Sequence, residues 1–279
     1  TTKILRENFK ELYSECKSIV DISKKDLVVD IGSNDGTFLK AFTKLGYSVL
    51  GVEGAQVAAQ IAEDDGIPTI RRFFGKGVSE EIRNLLPQGK RIAIISAMSV
   101  VAHTDNINEF LREIRDLMDE ETVLITSCHW LMALIRNFEF DTIYHEHLRY
   151  YTLESLTKLF HRHGLSIVDA EYKDFYGGSI LTYATKLAQE PSEGLRSIMD
   201  QEQQIDIPQT LKDMKHKLIV NKAKLQGLLV DLKTQRKRVI GVGAPMKAST
   251  LLNFYGITTD LVEYLAEVNE LKVGTVVPG

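Results

Sequence analysis

The sequence predicts an α/β fold whose centre is an open, mainly parallel β-sheet with helices on both faces. From residue 26 to residue 126, short runs of β-branched residues alternate with helix-like segments. This alternation is typical of a parallel sheet that is covered on both sides. The first run, residues 27–31, is mostly apolar, as a buried central strand requires. A glycine-rich turn at residues 32–36 follows it and leads directly into a helix-like segment.

The elements of this sheet follow one another with the periodicities of strands and helices. The expected strands are residues 27–31, 48–52, 68–70, 91–96 and 122–126. The expected helices between them are residues 37–45, 56–64, 78–86 and 106–118. The last of these helices has an apolar face whose members recur at helical spacing, namely Leu111, Ile114, Leu117 and Met118.

The next segment predicts one more helix and an antiparallel pair of strands. Thr152 is a favourable N-cap for a helix that runs to Phe160, and Gly164 suits the left-handed residue that ends a helix. Two strand-like runs, residues 165–171 and 180–187, are joined through two adjacent glycines. We expect these runs to pair antiparallel and to close one edge of the sheet.

The C-terminal third predicts a helical connection followed by a second strand-helix-strand unit. Residues 192–236 are rich in lysine and glutamine, and Pro208 interrupts them. A strand at 238–242, a Gly-Ala-Pro turn, a helix at 247–254 and a strand at 260–264 are expected after them. We therefore predict a first domain at residues 1–190, a helical linker at residues 191–236 and a partial C-terminal lobe at residues 237–279.

Composition limits the classes of partner. The 279 residues carry 34 Lys and Arg against 38 Asp and Glu, so the chain lacks the basic excess that nucleic acid or an anionic membrane surface selects. The longest stretches without a charged residue are well short of the roughly 20 residues that a membrane span needs. Two cysteines fit a reducing, cytoplasmic location. Residue 1 is Thr rather than Met, which suggests a processed or excised chain.

The glycine turn after the first strand is a candidate cofactor site. Small residues there let a ligand approach the backbone, and the next helix offers free N–H groups. Glu53 ends the second strand, 21 positions after Gly32, where a carboxylate can accept hydrogen bonds from both hydroxyls of a ribose. A purely structural turn is the alternative. The candidate cofactor-binding residues are Asp30, Gly32, Ser33, Asn34, Asp35, Gly36, Glu53 and Gly54.

The charges around this turn favour one kind of cofactor. A dinucleotide site normally reads Gly-x-Gly-x-x-Gly and holds a pyrophosphate, but here Asp30 precedes the turn and Asp35 lies within it. Two carboxylates would repel a pyrophosphate. They would instead attract the ammonium and sulfonium groups of S-adenosylmethionine, so the sequence favours methyl transfer over hydride transfer.

A second cluster of reactive residues is the run Tyr-His-Glu-His at residues 144–147. In an extended conformation, Tyr144 and Glu146 would share one face of the chain and the two histidines the other. A neutral imidazole can accept a proton at neutral pH, and a carboxylate can orient it. Metal binding by the two histidines, which we do not expect, and ordinary loop histidines are the alternatives. His103, after a predicted strand, is a further candidate.

These motifs together resemble the S-adenosylmethionine-dependent C-methyltransferases of nucleotide-activated deoxysugars. The matching pieces occur in the family's order along almost the whole chain, and the Gly-Ser-Asn-Asp-Gly turn and the Tyr-His-Glu-His run are the most specific. They are residues 30–37, 51–54, 102–103, 140–147, 150–151, 177–179, 241–247 and 250–253. The resemblance implies a Rossmann-like class I methyltransferase domain with a second, smaller and incomplete Rossmann-like C-terminal lobe.

The resemblance also implies a mechanism and a set of functional residues. A base removes a proton from the sugar carbon beside a 4-keto group, and the enolate then attacks the methyl sulfonium in line. His147 would be this base, and Tyr144, Glu146 and His103 would orient the sugar or stabilise negative charge on the keto oxygen. The nucleotide-sugar substrate would contact Tyr150, Gly178, Ser179, Gly243 and Lys247.

The sequence departs from the family's pattern at several places. Family members usually carry an N-terminal cysteine-rich zinc-binding domain, which nothing in this sequence supplies. Met98 and Ser99 stand where the family tends to have two asparagines, and Ser127 opens a Ser-Cys-His run in place of Glu-Val-Pro. Tyr176 stands where a histidine often precedes Gly-Gly-Ser. The substrate or the retained activity depends on these positions.

Two alternative functions remain open at this stage. The methyl group could go to an oxygen or a nitrogen of a sugar-like substrate. The chain could also be a catalytically silent binding or scaffold relative, as the departures allow. The sequence does not predict the sugar, its nucleotide, the stereochemistry or the oligomeric state.

Overall fold

The computed structural model describes residues 23–175, 177–270 and 272–278, and Tyr176 therefore lies outside the described residues. These residues form two compact units. The first unit contains the described residues up to Trp130 together with Arg149–Glu202. The second contains Leu131–Leu148 and the described residues from Gln203 onwards. Residues 131–148, which the sequence analysis assigns to the first domain, are thus grouped with the C-terminal part of the chain.

A seven-stranded sheet forms the centre of the first unit. Its strand order is β3-β2-β1-β4-β5-β7-β6. Strands β1 to β5 pair in parallel, whereas β7 pairs antiparallel with both β5 and β6. The predicted open sheet and its antiparallel edge are both confirmed. The bounds are β1 Leu27–Ile31, β2 Ser48–Val52, β3 Thr69–Ile70, β4 Ile92–Met98, β5 Val123–His129, β6 Ser166–Lys173 and β7 Ser179–Thr185.

Apart from the helix at Leu131–Arg136, which the sequence analysis does not predict, the helices lie close to their predicted positions. Their bounds are α1 Thr37–Thr43, α2 Gln56–Asp64, α3 Val78–Leu85, α4 Ile107–Leu117, α5 Leu131–Arg136, α6 Leu153–Arg162, α7 Glu193–Gln203, α8 Ile207–Thr234 and α9 Ala248–Tyr255. A 3-10 turn covers Phe140–Thr142. Within the described ranges, no helix has both the length and the apolar character that crossing a membrane requires.

The core of the first unit lies between the sheet and its helices. All of β1, and β4 as far as Ala97, are buried, because helices cover both faces of the sheet. Val28 and Ile94 on the strands pack with Leu39 and Phe42 of α1 on one hydrophobic cluster. The rings of Phe38 and Phe42 meet edge to face at 5.2 Å, a favoured aromatic arrangement.

Local signals explain where several helices begin and end. The Asn106 side chain accepts a hydrogen bond from the Glu109 N–H at the start of α4. Thr152 caps α6 as predicted, since its side chain accepts from the Ser155 N–H while the Ser155 hydroxyl accepts from the Thr152 N–H. Gly164, also as predicted, follows α6 with a positive φ of 67°, which glycine adopts without steric cost.

The second unit contains a long helix and a small strand-helix-strand motif. The helical stretch around Pro208 divides into α7 and α8, and Pro208 lies in the first turn of α8, where its missing N–H costs nothing. Strands β8 Gly241–Val242 and β9 Leu265–Ala266 pair in parallel around α9. The prediction of a strand at 260–264 is wrong. The N–H groups of Leu261 and Val262 donate to the Thr258 carbonyl and close a turn there.

A buried carboxylate joins distant parts of the first unit. Glu202, near the end of α7, is buried. Its Oε1 accepts hydrogen bonds from the Trp130 indole N–H and the Leu153 N–H, both at 2.6 Å. Its Oε2 accepts from the Glu154 N–H at 2.9 Å. The carboxylate thereby satisfies two unpaired N–H groups of the first turn of α6, where negative charge is also favoured.

We predict that Glu202→Ala destabilises the protein by about 3 kcal/mol, because three buried donors lose their acceptor. Glu202→Gln, which retains one acceptor oxygen, should lose less. Asp200→Ala, at an exposed position of the same helix, is the matched control and should change stability by about 0.5 kcal/mol or less. Urea unfolding followed by circular dichroism measures all three. Equal losses for Glu202→Ala and Asp200→Ala would contradict this role.

Candidate active site

The turn after β1 is held in a left-handed conformation by its small residues. Gly32, Asn34 and Gly36 have φ values of 72°, 50° and 70°, which glycine and asparagine adopt most readily. A Cβ at Gly32 would lie 2.7 Å from Val100 Cγ2, so glycine lets the Val100 side chain pack directly against the turn. A Cβ at Gly36 would lie 3.0 Å from Ile67 Cγ1. Gly36 therefore serves the packing of the helix layer.

Glu53 closes this turn from the end of β2. Its Oε2 accepts a hydrogen bond from the Asn34 N–H at 2.8 Å, and its Oε1 accepts from the Ala55 N–H at 2.7 Å. Each carboxylate oxygen has a further lone pair, and the side chain is partly exposed. The residue therefore combines a fixed orientation with capacity to accept hydrogen bonds from a ligand.

Asp30 is a buried acid at the end of β1. Only 4% of its surface is exposed, and its Oδ1 lies 2.6 Å from the Ser96 hydroxyl that donates to it. Burial raises the pKa of Asp30 to about 7, the Ser96 hydrogen bond opposes this rise, and the nearby Glu53 carboxylate adds to it. Sequence reasoning missed Ser96, whose only signal is its register opposite Asp30 in the parallel pair of β1 and β4.

Asp35 has a structural task within the turn. Its Oδ1 accepts a hydrogen bond from the Thr37 N–H at 3.1 Å, which satisfies a donor at the start of α1. Ser33 differs, since its Oγ is buried without a hydrogen-bond partner among the described residues. Of the polar side chains in the turn, Ser33 is thus the one whose hydrogen-bonding capacity is unused.

Ser99 and Ser127, two residues that depart from the family's pattern, contact each other and hold the loop after β4. Ser99 has a φ of 57°, a region where asparagine is several-fold enriched. The Ser99 N–H donates to the hydroxyl and the carbonyl of Ser127, at 3.0 and 3.1 Å. Ser127 is buried and so anchors this loop, while Met98 at the end of β4 is partly buried.

His103 lies farther along the same loop, where its N–H donates to the Val100 carbonyl at 3.0 Å. Its side chain is exposed. The Arg149 guanidinium donates hydrogen bonds to the carbonyls of Thr104 and Asp105. Arg149 therefore fixes the backbone next to His103, a contact that no sequence motif indicated.

The other candidate substrate residues of the first unit differ in accessibility. Tyr150 is partly exposed. Gly178 has a φ of 113°, and its carbonyl accepts a hydrogen bond from the Trp130 N–H at 3.1 Å. Ser179 is buried, and its hydroxyl donates to the Phe175 carbonyl at 3.2 Å. The hydroxyl of Ser179 thus holds the glycine turn in shape.

The Tyr-His-Glu-His run lies in the second unit and forms a turn, so the expected extended arrangement is wrong. The His147 N–H donates to the Tyr144 carbonyl at 3.0 Å, which reverses the chain within four residues. The rings of Tyr144 and His147 consequently pack against each other, with centroids 4.5 Å apart and planes inclined at 43°. The intervening His145 and Glu146 side chains are exposed by 76% and 45%.

The hydrogen bonds of His147 define its tautomer. Its Nδ1 lies 2.8 Å from the Thr142 carbonyl oxygen. A carbonyl can only accept, so Nδ1 carries the proton of the neutral ring and Nε2 is the basic nitrogen. The Tyr144 hydroxyl lies 3.5 Å from this Nε2. Partial burial, and then the Glu146 carboxylate, raise the pKa of Tyr144, so its phenol keeps its proton at neutral pH.

The same run is attached to α9 within the second unit. Lys247 Nζ, at the start of α9, lies 3.6 Å from Asp141 Oδ2. The Thr250 hydroxyl donates to the Ile143 carbonyl at 3.3 Å. The Phe140 ring packs on the rings of Phe254 and Tyr255, at 4.8 and 5.4 Å. Sequence reasoning treated these two motifs separately, and the structure brings them together.

Gly243 occupies the turn after β8 with a φ of 86°. Its N–H donates to the Ala266 carbonyl at 2.7 Å. The candidate residues therefore form two groups. The first unit holds the cofactor candidates with His103, Tyr150, Gly178 and Ser179, and the second holds Tyr144, Glu146, His147, Gly243 and Lys247.

Comparison with known proteins defines the class. Residues 5–170, more than half of the chain, match the methyltransferase domain family. Residues 174–279 match the C-methyltransferase C-terminal domain. Together with the seven-stranded sheet, these matches define a class I methyltransferase fold. The chain belongs to the S-adenosylmethionine-dependent methyltransferase family, as the sequence predicted.

Two curated relatives show how far the similarity extends. The C-methyltransferase NovU of Streptomyces niveus is 30% identical over 277 residues, which are 98% of this chain and 65% of that protein. The ubiquinone biosynthesis O-methyltransferase of Azorhizobium caulinodans is 25% identical over 156 residues, 54% of this chain and 57% of that protein. The chain spans less than two thirds of either relative.

Solved structures share the fold at low sequence identity. The PH0226 protein of Pyrococcus horikoshii has a TM-score of 0.52 and 14% identity, covering 66% of this chain and 92% of its own. A chain of the complex between the Haloferax volcanii Trm112 methyltransferase activator and a methyltransferase has a TM-score of 0.50 and 13% identity, covering 64% and 90%. At this identity the likeness concerns the fold.

The residues of the first unit fit S-adenosylmethionine. The carboxylates of Asp30 and Glu53 suit its positive charges, and a nearby cation favours the ionised form of Asp30. The oxygens of Glu53 have capacity for ribose hydroxyls. Gly32 is exposed in the turn, so a ligand can approach its backbone closely.

The ionisation of Asp30 predicts a pH dependence of stability in the absence of cofactor. Its carboxyl has a raised pKa in the folded state, so the folded protein retains a proton that the unfolded chain loses above pH 4. The free energy of unfolding should fall between about pH 4 and pH 7, by about 1.4 kcal/mol per pH unit at most, and then level off.

Asp30→Asn should remove this slope and be more stable than the wild type at pH 8. Urea unfolding at pH 5.5 and pH 8 measures the difference. Asp116→Asn, at an exposed position of α4, is the control and should retain the wild-type slope. An unchanged slope in Asp30→Asn would contradict the assignment.

Proposed function

We propose that this chain transfers a methyl group from S-adenosylmethionine to the carbon beside the keto group of a nucleotide-linked 4-keto-deoxysugar. The match of residues 174–279 to the C-methyltransferase C-terminal domain and the similarity to NovU support carbon as the acceptor atom. The resemblance noted from the sequence supports the class of sugar. The observation that carries the proposal is the orientation of His147 by the Thr142 carbonyl.

The residues of the first unit bind and orient the methyl donor in this proposal. When bound, S-adenosylmethionine supplies an electrophilic methyl group. Glu53 accepts the ribose hydroxyls, and Asp30 balances positive charge. The exposed Gly32 allows close approach to the turn. Because Glu53 is itself held by two backbone N–H groups, the turn is ordered before the ligand arrives, which reduces the entropy lost on binding.

His147 is the proposed general base. With Nδ1–H donated to Thr142, Nε2 is the atom that accepts the proton from the sugar carbon. The Thr142 carbonyl also stabilises the imidazolium that forms, because its negative end faces Nδ1–H. General-base catalysis of this kind contributes about 10²- to 10⁴-fold to a rate. The exposed His145 ring lies 4.0 Å from Glu146 Oε1 and has no such orienting hydrogen bond within the described part of the chain, so we assign it no role.

Tyr144 is the proposed donor to the keto oxygen. Its phenol remains protonated at neutral pH because its pKa is raised. Its hydroxyl lies beside the basic nitrogen of His147, so a substrate that reaches Nε2 also reaches this donor. A fixed donor stabilises the charge that develops on an enolate oxygen. Glu146 and His103 are proposed to orient the sugar.

Lys247 is the proposed contact for the phosphates of the nucleotide. It is the N-cap residue of α9, where the helix dipole adds to its charge, and the Gly243 turn precedes it. Its ion pair with Asp141 at 3.6 Å is partly exposed. A diphosphate carries more charge than one carboxylate and would compete for this lysine. Since Asp141 belongs to the segment that carries His147, phosphate binding and base placement involve the same unit.

The O- or N-methyltransferase alternative has one specific observation in its favour, the similarity to an O-methyltransferase. That similarity covers 54% of the chain and 57% of the relative, whereas the NovU match covers 98% of the chain.

The catalytically silent alternative is compatible with Met98, Ser99 and Ser127, which have structural contacts rather than contacts that define chemistry. We therefore favour carbon methylation.

The direct test incubates the protein with S-adenosylmethionine and a library of nucleotide 4-keto-sugars. Mass spectrometry should show a product heavier by one methylene group. In ²H₂O without cofactor, the proton beside the ketone should exchange with solvent. Methylation without exchange would favour an oxygen or nitrogen acceptor. Binding of cofactor or sugar without either reaction would favour the silent alternative.

We predict that His147→Asn binds S-adenosylmethionine with an affinity within about twofold of the wild type. The asparagine amide can still donate to the Thr142 carbonyl, but it cannot accept the substrate proton. Methyl transfer and deuterium exchange should both fall by about 10²- to 10⁴-fold. His145→Asn is the matched control and should retain both reactions. Wild-type exchange in His147→Asn would show that another group is the base.

A further inference from the structure

Phe73 is an aromatic side chain that the mechanism leaves unused. It follows β3, and 80% of its surface is exposed. The next residue, Phe74, packs edge to face on Phe110 with ring centroids 5.4 Å apart. Phe74 thus anchors the segment to the protein, while Phe73 remains exposed.

The Phe73 ring lies directly against Gly54. A Cβ at Gly54 would approach the ring atoms Cδ1, Cε1 and Cγ to 2.4, 2.5 and 2.6 Å. Any side chain at this position would displace the ring. Glycine therefore provides a flat seat for one face of the phenyl ring, and the exposure of Phe73 leaves the rest of the ring accessible to a ligand.

This seat lies beside the proposed ribose contact. Gly54 follows Glu53 directly, and the Glu53 N–H donates to the Ile70 carbonyl at the end of β3 with a distance of 3.0 Å. Val52 and Ile70 are register partners in the parallel pair of β2 and β3. The two strand ends therefore deliver the carboxylate and the ring to the same edge of the sheet.

Single exposed apolar residues are common and need no function. Phe73 differs because a glycine whose Cβ would collide with the ring supports it, and because a fixed carboxylate lies next to that glycine. A nucleoside held at Glu53 by its ribose carries a flat base one glycosidic bond away. Aromatic rings are the usual stacking surface for such bases.

We propose that Phe73 is a cofactor-binding residue that stacks against the nucleobase of S-adenosylmethionine, with Gly54 as the seat of its ring. This inference rests on the proposed use of that cofactor. Because every base has a flat face, stacking contributes affinity without reading the hydrogen-bonding edge. Phe73 thus supplies affinity for a flat base as such, and other groups would select adenine.

The test is the binding of S-adenosylhomocysteine by isothermal titration calorimetry to the full chain. Loss of one base-stacking contact corresponds to about a 5- to 150-fold weaker binding. Phe73→Ala should show a loss in this range, Phe73→Leu should show nearly the same loss, and Phe73→Trp should retain the wild-type affinity. Leu85→Ala, which removes another exposed apolar side chain, is the control and should change nothing.

Two further comparisons separate stacking from a general effect on the fold. S-inosylhomocysteine has the same flat base with a different edge, so Phe73→Ala should weaken its binding by the same factor. Gly54→Ala should weaken binding in the wild type but much less in the Phe73→Ala background, where the added Cβ meets no ring. Thermal unfolding of each variant verifies that the fold is retained.

Each outcome bears on the proposal. Wild-type affinity in Phe73→Ala, or full affinity in Phe73→Leu, would overturn it. Equal effects of Gly54→Ala in both backgrounds would contradict the proposal that Gly54 supports the Phe73 ring. A wild-type protein that binds S-adenosylhomocysteine but methylates no sugar would leave the role of Phe73 intact and overturn the proposed function. A wild-type protein that binds no S-adenosylhomocysteine would overturn both.

Discussion

The hydrogen bond from the Asn34 N–H to Glu53 Oε2 is the interaction on which the candidate cofactor site depends. It joins the turn after β1 to the end of β2. The turn contains three residues with positive φ, so its shape is not favoured by the local chain alone. The carboxylate stabilises that shape and is itself fixed by the Ala55 N–H. The neighbouring Gly54 then sets the position of the Phe73 ring.

The second unit holds its glycine turn in a similar way. Glu267 follows β9 as Glu53 follows β2, and its Oε2 accepts a hydrogen bond from the Ala244 N–H of the turn at 2.8 Å. Its Oε1 accepts from the N–H groups of Val268 and Asn269. These backbone hydrogen bonds lower the pKa of Glu267. Both turns are therefore closed by an acid at the end of the next strand.

The sequence could predict what depends on local periodicity, and it failed where distant residues decide. The apolar run of β1 and the cap of α6 by Thr152 follow from neighbouring residues, so both were predictable. The contact of Ser96 with Asp30 depends on strand register, and the pairing of Lys247 with Asp141 joins positions more than 100 residues apart in the sequence. The Tyr-His-Glu-His run was expected to be extended, but a hydrogen bond within it makes a turn. Such contacts are invisible to periodicity.

The carboxylate of Glu202 has a consequence for the order in which the chain is made. The Leu153 N–H in the first turn of α6 donates to an acid that lies 49 residues later in the sequence. The Trp130 indole N–H donates to the same acid, 72 residues away. Because synthesis proceeds from the N-terminus, α6 is synthesised before residue 202. Until then these donors are satisfied by water. The native start of α6 is thus completed only after α7 has left the ribosome, and a nascent chain truncated between the two helices would expose this N-terminus.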